Sequence, residues 1–314
     1  MKKLLTIFIA LLFCFNTSYS QTTHTDPESK VPNLGGHAFP SLSHFRSSFV
    51  STSLQANIGF GITSPIVING ITIGDHELLS FEGKLLFMSA EVQYQQRFNQ
   101  WLALFISFNM AGRMGTDMST ILADGVSTIA GGDIGWLIRI YQNKRFNLSG
   151  SLKISNVTGN FINVSEYVED LINDVPDPAI TRKIPSMSAG IGIHGAYAIS
   201  PVFGLQVNAN YAVGESFDRE GSKGYYSGGL MADADFMPSY NVPVGLALGY
   251  SLTSAPDIFS TEGGISHIFN GKLGYTGSSE YELGLQCSYY NLKLNSTDQS
   301  TGVTTITLVL KLYF

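Results

Sequence analysis

Val242-Pro243-Val244-Gly245-Leu246-Ala247-Leu248-Gly249-Tyr250-Ser251-Leu252 sets Val242, Val244, Leu246, Leu248, Tyr250 and Leu252 on one face and only small residues on the other. A period of two is that of a strand, whose successive side chains point to opposite faces. The pattern returns at Phe203, Leu205, Val207, Ala209, Tyr211 and Val213, set against Gly204, Gln206, Asn208, Asn210 and Ala212. It closes the chain, where Ile306, Leu308, Leu310, Leu312 and Phe314 alternate with Thr305, Thr307, Val309, Lys311 and Tyr313.

Working outward, such runs predict about twelve strands, near 50–60, 86–98, 101–111, 126–141, 145–156, 187–199, 202–213, 225–236, 241–252, 263–275, 280–292 and 303–314. The connections alternate between short and long. Short ones fall at Asn99-Gln100, 142–144, Ser200-Pro201, 237–240 and 276–279, and long ones at 61–85, 112–125, 157–186, 214–224, 253–262 and 293–302. Short turns on the periplasmic side and long loops outside are the mark of an up-and-down membrane barrel. Aromatic residues flank the short turns and form a candidate girdle: Phe98, Trp101, Tyr141, Phe146, Phe236, Tyr240, Tyr275, Tyr281 and Phe314. Rings gather at a membrane interface because one side of each prefers hydrocarbon and the other water. A soluble β-sandwich also alternates, but it explains neither these rings nor strands of about 11–13 residues, which suit a tilted membrane crossing. A closed barrel further removes the sheet edges, which nothing in the bilayer core could hydrogen-bond. The expected fold is all-β: a transmembrane antiparallel up-and-down β-barrel, with one short helix in the loop near 161–175.

Composition agrees. Charged residues make up 13% of the 314, against 12% aromatic, with 33 glycines; an average soluble domain is roughly 25% charged. A net charge of −6 without a basic stripe excludes nucleic acid as the expected partner. Lys2 and Lys3, the apolar run from Leu4 to Phe15 and Ser18-Tyr19-Ser20 before Gln21 read as a cleaved signal peptide over 1–20. A lipid-anchored start at Cys14 is disfavoured by the bulky Phe13 before it. Cys287 is then alone, so no internal disulfide is expected. The remaining chain divides into an irregular segment or plug over 21–48 and one barrel domain over 49–314.

With its signal, repeated alternation and a closing strand Ile306-Thr307-Leu308-Val309-Leu310-Lys311-Leu312-Tyr313-Phe314 ending in Phe, the chain resembles the outer-membrane β-barrel proteins of Gram-negative bacteria. The resemblance implies an outer-membrane location, a lipid bilayer as partner, and recognition of the last strand by the barrel-assembly machinery. It is architectural and names no subfamily. A weaker likeness is to fatty-acid-transporter-type barrels, in which an N-terminal segment plugs the lumen; here that role would fall to 21–48, although the strand count is lower than in that family.

Function lies in lumen and loops, because the fold does not give it. By parity the inward charges are Glu91, Arg97, Asp133, Arg139, Lys153, Asp233, Asp235, Lys272, Glu282 and Lys311. Most lie toward the turn ends, where they are expected to pair across a narrow pore; the alternative is a lumen filled by side chains. Asp133 and Lys153 stand apart, with no role. Pro27, Pro32, Gly35, Gly36 and Pro40 deny the N-terminal segment a period, while Leu34, Phe39, Leu42, Phe45 and Phe49 suit it to a lumen; a loose periplasmic tail is the other reading. Phe161, Val164, Val168, Leu171, Ile172 and Val175 recur at helical spacing, giving a lid, a leaflet helix or an ordinary loop helix. Ile62, Ile66, Val67, Ile68, Ile71, Ile73, Leu78 and Leu79 suggest a hairpin extending the wall, and two apolar outer loops favour an apolar ligand over a sugar.

No cofactor, metal or catalytic residue is expected. No His has a Ser two residues away on a lipid-facing side, as a barrel lipase needs, and His194 reads as a hydrogen-bonded wall residue. The expected function is a passive channel or transporter for small solutes. The alternatives are a closed structural or binding barrel acting through its outer loops, and a transporter of apolar substrates through a lateral gap at Gly131-Gly132.

Overall fold

The computed structural model describes residues 30–43, 45–73, 76–114, 125–162, 164–215, 221–254, 265–293 and 300–314; the expected signal peptide over 1–20 and residues 21–29 lie outside these. Two short strands come first, β1 (Asn33–Leu34) and β2 (His37–Ala38), paired as a hairpin. The barrel follows as β3 (Ser53–Thr63), then β6 (Leu86–Arg97) through β10, β11 (Phe203–Glu215), β12 (Ser222–Asp235), β13 (Val244–Thr253), β14 (Ser266–Tyr275), β15 (Tyr281–Lys293) and β16 (Ser300–Tyr313). Between β6 and β11 run β7 (Leu102–Met114), β8 (Gly125–Gln142), β9 (Phe146–Ile162) and β10 (Thr181–Ala198). Each strand pairs antiparallel with its neighbours, and β16 closes on β3, with Leu308 opposite Ile58 and Leu312 opposite Leu54. The result is a closed barrel of twelve strands.

Burial confirms the direction of the alternation. Leu246 and Leu248 are 44% and 71% exposed, whereas Ala247 between them is 1% exposed. The same inversion holds for Val207 against Gln206 and Asn208, and for Ile306 and Leu308 against Thr307 and Val309. Apolar residues therefore face outward and amides, hydroxyls and charges inward, the reverse of a water-soluble sheet. Such an arrangement is stable only where lipid covers the outer face.

The girdle rings stand at the turn end. Trp101, Tyr141, Tyr240 and Phe314 are more than half exposed. Tyr275 stacks on Tyr281 with centroids 5.8 Å apart, and Tyr141–Phe146 and Phe236–Tyr240 pair at 6.2 Å; Phe98 pairs with Trp136 rather than with Trp101. A second level lies toward the loops, where Tyr211 faces Tyr226, and Tyr250, Phe269 and Tyr289 meet in register on adjacent strands. Tyr211 is eight residues beyond Phe203 on the same strand, ~26 Å along it, which at the usual tilt comes close to the height of a barrel's apolar band.

Two segments differ from the sequence reading. β9 and β10 extend past the expected 145–156 and 187–199, pairing as far as Ile162 with Thr181. Apolar alternation ceases near Asn156 because strands beyond the lipid need no apolar face, while their hydrogen bonding continues. Helix α1 (Val164–Ile172) occupies what remains of that loop, with Leu171 and Ile172 exposed and Arg182 Nη2 3.5 Å from Asp170 Oδ2. The apolar hairpin β4 (Ile66–Ile73) and β5 (His76–Gly83) forms a separate two-stranded sheet, not a continuation of the wall, and its register shifts twice between Ile68 and Thr72.

Candidate functional site

The segment before β3 enters the barrel from the turn end. Lys30 and Val31 both donate their backbone N–H to Ser279 O at 3.1 Å, and Lys30 Nζ meets Glu280 Oε1 at 2.9 Å in solvent. The β1–β2 hairpin follows, turning on Gly35 and Gly36 at φ 58° and 87°. Two consecutive left-handed residues make the type I′ turn that tight hairpins prefer, and only glycine takes both positions without strain. This turn sets His37 inside the lumen, fully buried.

His37 Nε2 hydrogen-bonds Asp233 Oδ1 on β12, and Nδ1 lies 3.3 Å from Pro201 O. A carbonyl only accepts, so Nδ1 carries a proton, and the contact with Asp233 requires one more, held by ring or carboxyl. The ring packs edge-on against Phe39 at 4.5 Å. Gly204 on β11 makes the room: a Cβ there would strike both His37 and Phe39.

Farther along, Ser41 is matched at every polar atom. Its N–H donates to Glu282 Oε1 and Oε2 at 2.9 and 3.1 Å, its hydroxyl to Oε2 at 2.6 Å, and its carbonyl accepts from Lys272 Nζ at 2.6 Å. Lys272 also pairs with Glu282. Leu42 packs with Met231 and Ala247 above Gly249, where a Cβ would stand 2.9 Å from its side chain. Ser43 N–H donates to Gln286 Oε1 at 2.8 Å, and Gln286 Nε2 donates back to Ser43 Oγ at 2.6 Å. Asn147 Nδ2 and Ser149 Oγ both donate to Ser48 O at 2.6 Å, and Gln95 Nε2 to Phe49 O and Ser51 O at 2.9 Å. These wall residues lie near the turn ends of seven strands, so residues 33–43 and 45–51 fill that half of the lumen.

The inward charges thus separate into groups. Asp233, Lys272 and Glu282 hold the N-terminal segment rather than pairing across a pore. Lys311 is buried beside them, its Nζ 5.2 Å from the Tyr313 ring. Asp235 accepts from Thr276 Oγ1 at 2.7 Å and from Met237 N–H at 3.1 Å, which ties it to the β12–β13 turn and its helix α2 (Met237–Tyr240). Arg97 is exposed at the rim, its Nε donating to Asn99 O at 3.2 Å, and Arg139 lies at a register irregularity of β8 close by.

Glu91, Asp133 and Lys153 belong to the other half of the lumen. There they line a cavity of about 410 Å³ whose floor includes Ser43. Asn57 Nδ2 donates to Glu91 Oε2 at 2.8 Å and Ser107 Oγ to Asp133 Oδ2 at 3.0 Å. Arg46 rises from the segment beside them, its guanidinium 3.5 Å above the Phe105 ring and its Nη1 buried without a hydrogen-bond partner. Burial lowers the Arg46 pKa to about 10, opposed by Asp133 and Glu91, so the group stays charged at neutral pH. Ser, Thr and Asn side chains with Tyr225 and Tyr290 supply the rest of the polar lining, and Met110, Ile129, Val157, Leu252 and Ile268 supply an apolar part.

Sequence reasoning missed His37, Ser41, Ser43, Arg46 and the uncharged wall groups Asn147, Gln206 and Gln286. The Gly35-Gly36 pair was the available signal for a tight hairpin. The proposed gap at Gly131-Gly132 is a correction: both residues pair with β7 and β9, and a Cβ on Gly131 would meet Val157 at 2.9 Å. His194 Nε2 lies 2.9 Å from Ser151 Oγ, but its Nδ1 has no partner, so the pair lacks the orienting third group of a hydrolytic triad. Among the described residues no cluster fit for a metal ion occurs.

No family model and no curated protein matches the chain. Among solved structures it is similar to the NanC porin, at 6% identity over 82% of this chain and 99% of that one, TM-score 0.45. A Pseudomonas aeruginosa FadL homologue matches at 10% over 90% and 96%, TM-score 0.45, and the β domain of the Bordetella autotransporter BrkA at 8% over 84% and 100%, TM-score 0.45. At these identities the likeness is one of architecture and says nothing of the site. The closed barrel, its apolar outer face and its two aromatic levels themselves make the chain an integral outer-membrane barrel.

Proposed function

We propose that the protein is a passive channel or transporter for small hydrophilic solutes whose periplasmic mouth is shut by its own N-terminal segment, residues 30–52. The observation that carries this reading is the division of the lumen. One half is filled by a segment whose polar groups are met by Asp233, Glu282, Gln286, Asn147 and Gln95; the other is a cavity of about 410 Å³ lined by Glu91, Asp133, Lys153 and hydroxyl and amide groups interspersed with apolar ones. A barrel needing only stability would fill its lumen with wall side chains throughout. The contacts also favour polar over apolar cargo, since hydroxyl and amide side chains with Glu91, Asp133 and Lys153 make up most of the lining residues and, among the described residues, β8 stays paired with β7 and β9 through Gly131 and Gly132.

A second reading, a permanently closed barrel that binds partners through its outer loops, draws on the full matching of Ser41. Solute uptake by proteoliposomes separates the two. A variant lacking 30–50 should admit monosaccharides and amino acids at least tenfold faster than the full mature chain. Equal and negligible uptake by both, with the variant folded, favours the closed barrel.

A further inference from the structure

The inward charges are treated differently in the two halves of the lumen. At the turn end Asp233 and Glu282 have partners in the N-terminal segment, and Lys272 is held between Glu282 and Ser41. Among the described residues, neither Glu91, Asp133 and Lys153, which line the cavity, nor Arg46, which lies beside it over Phe105, has an opposite charge within 4.0 Å. Each carboxylate has one oxygen engaged by a neutral side chain, and Arg46 Nη1 is buried with no partner. Glu91, Asp133 and Lys153 are half-buried and open to the cavity, while the Arg46 Nη1 is withdrawn from water; a ligand that meets such incompletely matched charges gains charge-assisted hydrogen bonds there.

From this we infer that the cavity is a binding site for a small zwitterionic solute of the amino-acid or short-peptide class, its ammonium toward Glu91 and Asp133 and its carboxylate toward Lys153, with the Arg46 charge behind the lining. The lining holds two carboxylates and one base in one sector, β6, β8 and β9, and the second base, Arg46, stands beside them over Phe105 of β7. A simple anion meets the two carboxylates there, a simple cation meets the two bases, and a neutral polyol leaves all four unmatched. A zwitterion answers both signs at once. The facing wall, with Asn208, Ser227 and Tyr225, is uncharged and suits a peptide bond or a small side chain. A volume of about 410 Å³ falls toward the lower end of ligand cavities, roughly 300–1,000 Å³. The inference rests on the channel or transporter reading, whose substrate it names.

The test is calorimetric titration of the full mature chain in lipid nanodiscs, N-terminal segment in place. The probes are alanyl-alanine, its N-acetylated form, its C-amidated form and sucrose. The free dipeptide should bind, and blocking either end should weaken binding by roughly tenfold or more, as loss of a charge-assisted hydrogen bond does. Asp133→Asn should erase the penalty for N-acetylation while keeping that for C-amidation, and Lys153→Met should do the reverse. Glu91→Gln serves in place of Asp133→Asn if that variant does not fold. Blocked dipeptides binding as tightly as the free one, binding of sucrose alone, or no heat from the free dipeptide would each overturn the inference. The uptake assay of the segment-deleted barrel keeps the two claims apart: uptake without dipeptide preference defeats only the zwitterion site, and no uptake defeats the channel reading itself.

Discussion

His37 and Asp233 are the pair on which closure turns. Both are withdrawn from solvent, so deleting one leaves the other buried without its partner. His37→Ala is expected to cost on the order of 3 kcal/mol of docking, about a hundredfold in the undocked fraction. The readout is maleimide labelling of a Ser41→Cys reporter in a Cys287→Ser background, slow in the parent and faster in the variant. Gly204→Ala should act in the same direction without touching a polar group, because its methyl occupies the volume of the His37 ring. Asp235→Asn, by contrast, alters the β12–β13 turn and should leave the labelling rate within about twofold, since among the described residues the Asp235 carboxylate bonds Thr276 and Met237 and none of the N-terminal segment. The sequence shows Asp233, Lys272 and Glu282 as inward charges because strand parity is strict. It hides what they meet, because the segment that meets them has no period.

At the level of elements, the barrel's ladders close without the N-terminal segment: β16 bonds directly to β3 from Tyr313 to Val303. Removal of 30–50 should therefore leave a folded barrel, with strand circular dichroism retained and with migration on unboiled electrophoresis still distinct from that of the heated chain. Conversion to an unfolded chain would show that the segment is core rather than closure. The strand positions are legible in the sequence wherever lipid imposes apolar alternation, as in β13 and β16. Legibility ends where that constraint ends. β9 and β10 run on past it through residues such as Asn160 and Thr181, and only the helix over Val164–Ile172 restores a readable period.

For the whole molecule, the outward face is the structural claim. Leu248, 71% exposed at mid-strand, should face hydrocarbon, so Leu248→Arg is expected to destabilise the barrel by about 2–4 kcal/mol in urea titrations from lipid vesicles. A surface leucine in water would tolerate that change. Closure is the functional claim, and single-channel recording in a planar bilayer tests it most directly, comparing the full mature chain, His37→Ala and the barrel lacking 30–50. The expected result is a silent parent, intermittent openings for His37→Ala and steady discrete steps for the deleted barrel. Steps of the same size from the full chain and the deleted barrel would contradict closure by this segment, and silence from a folded deleted barrel would contradict the pore.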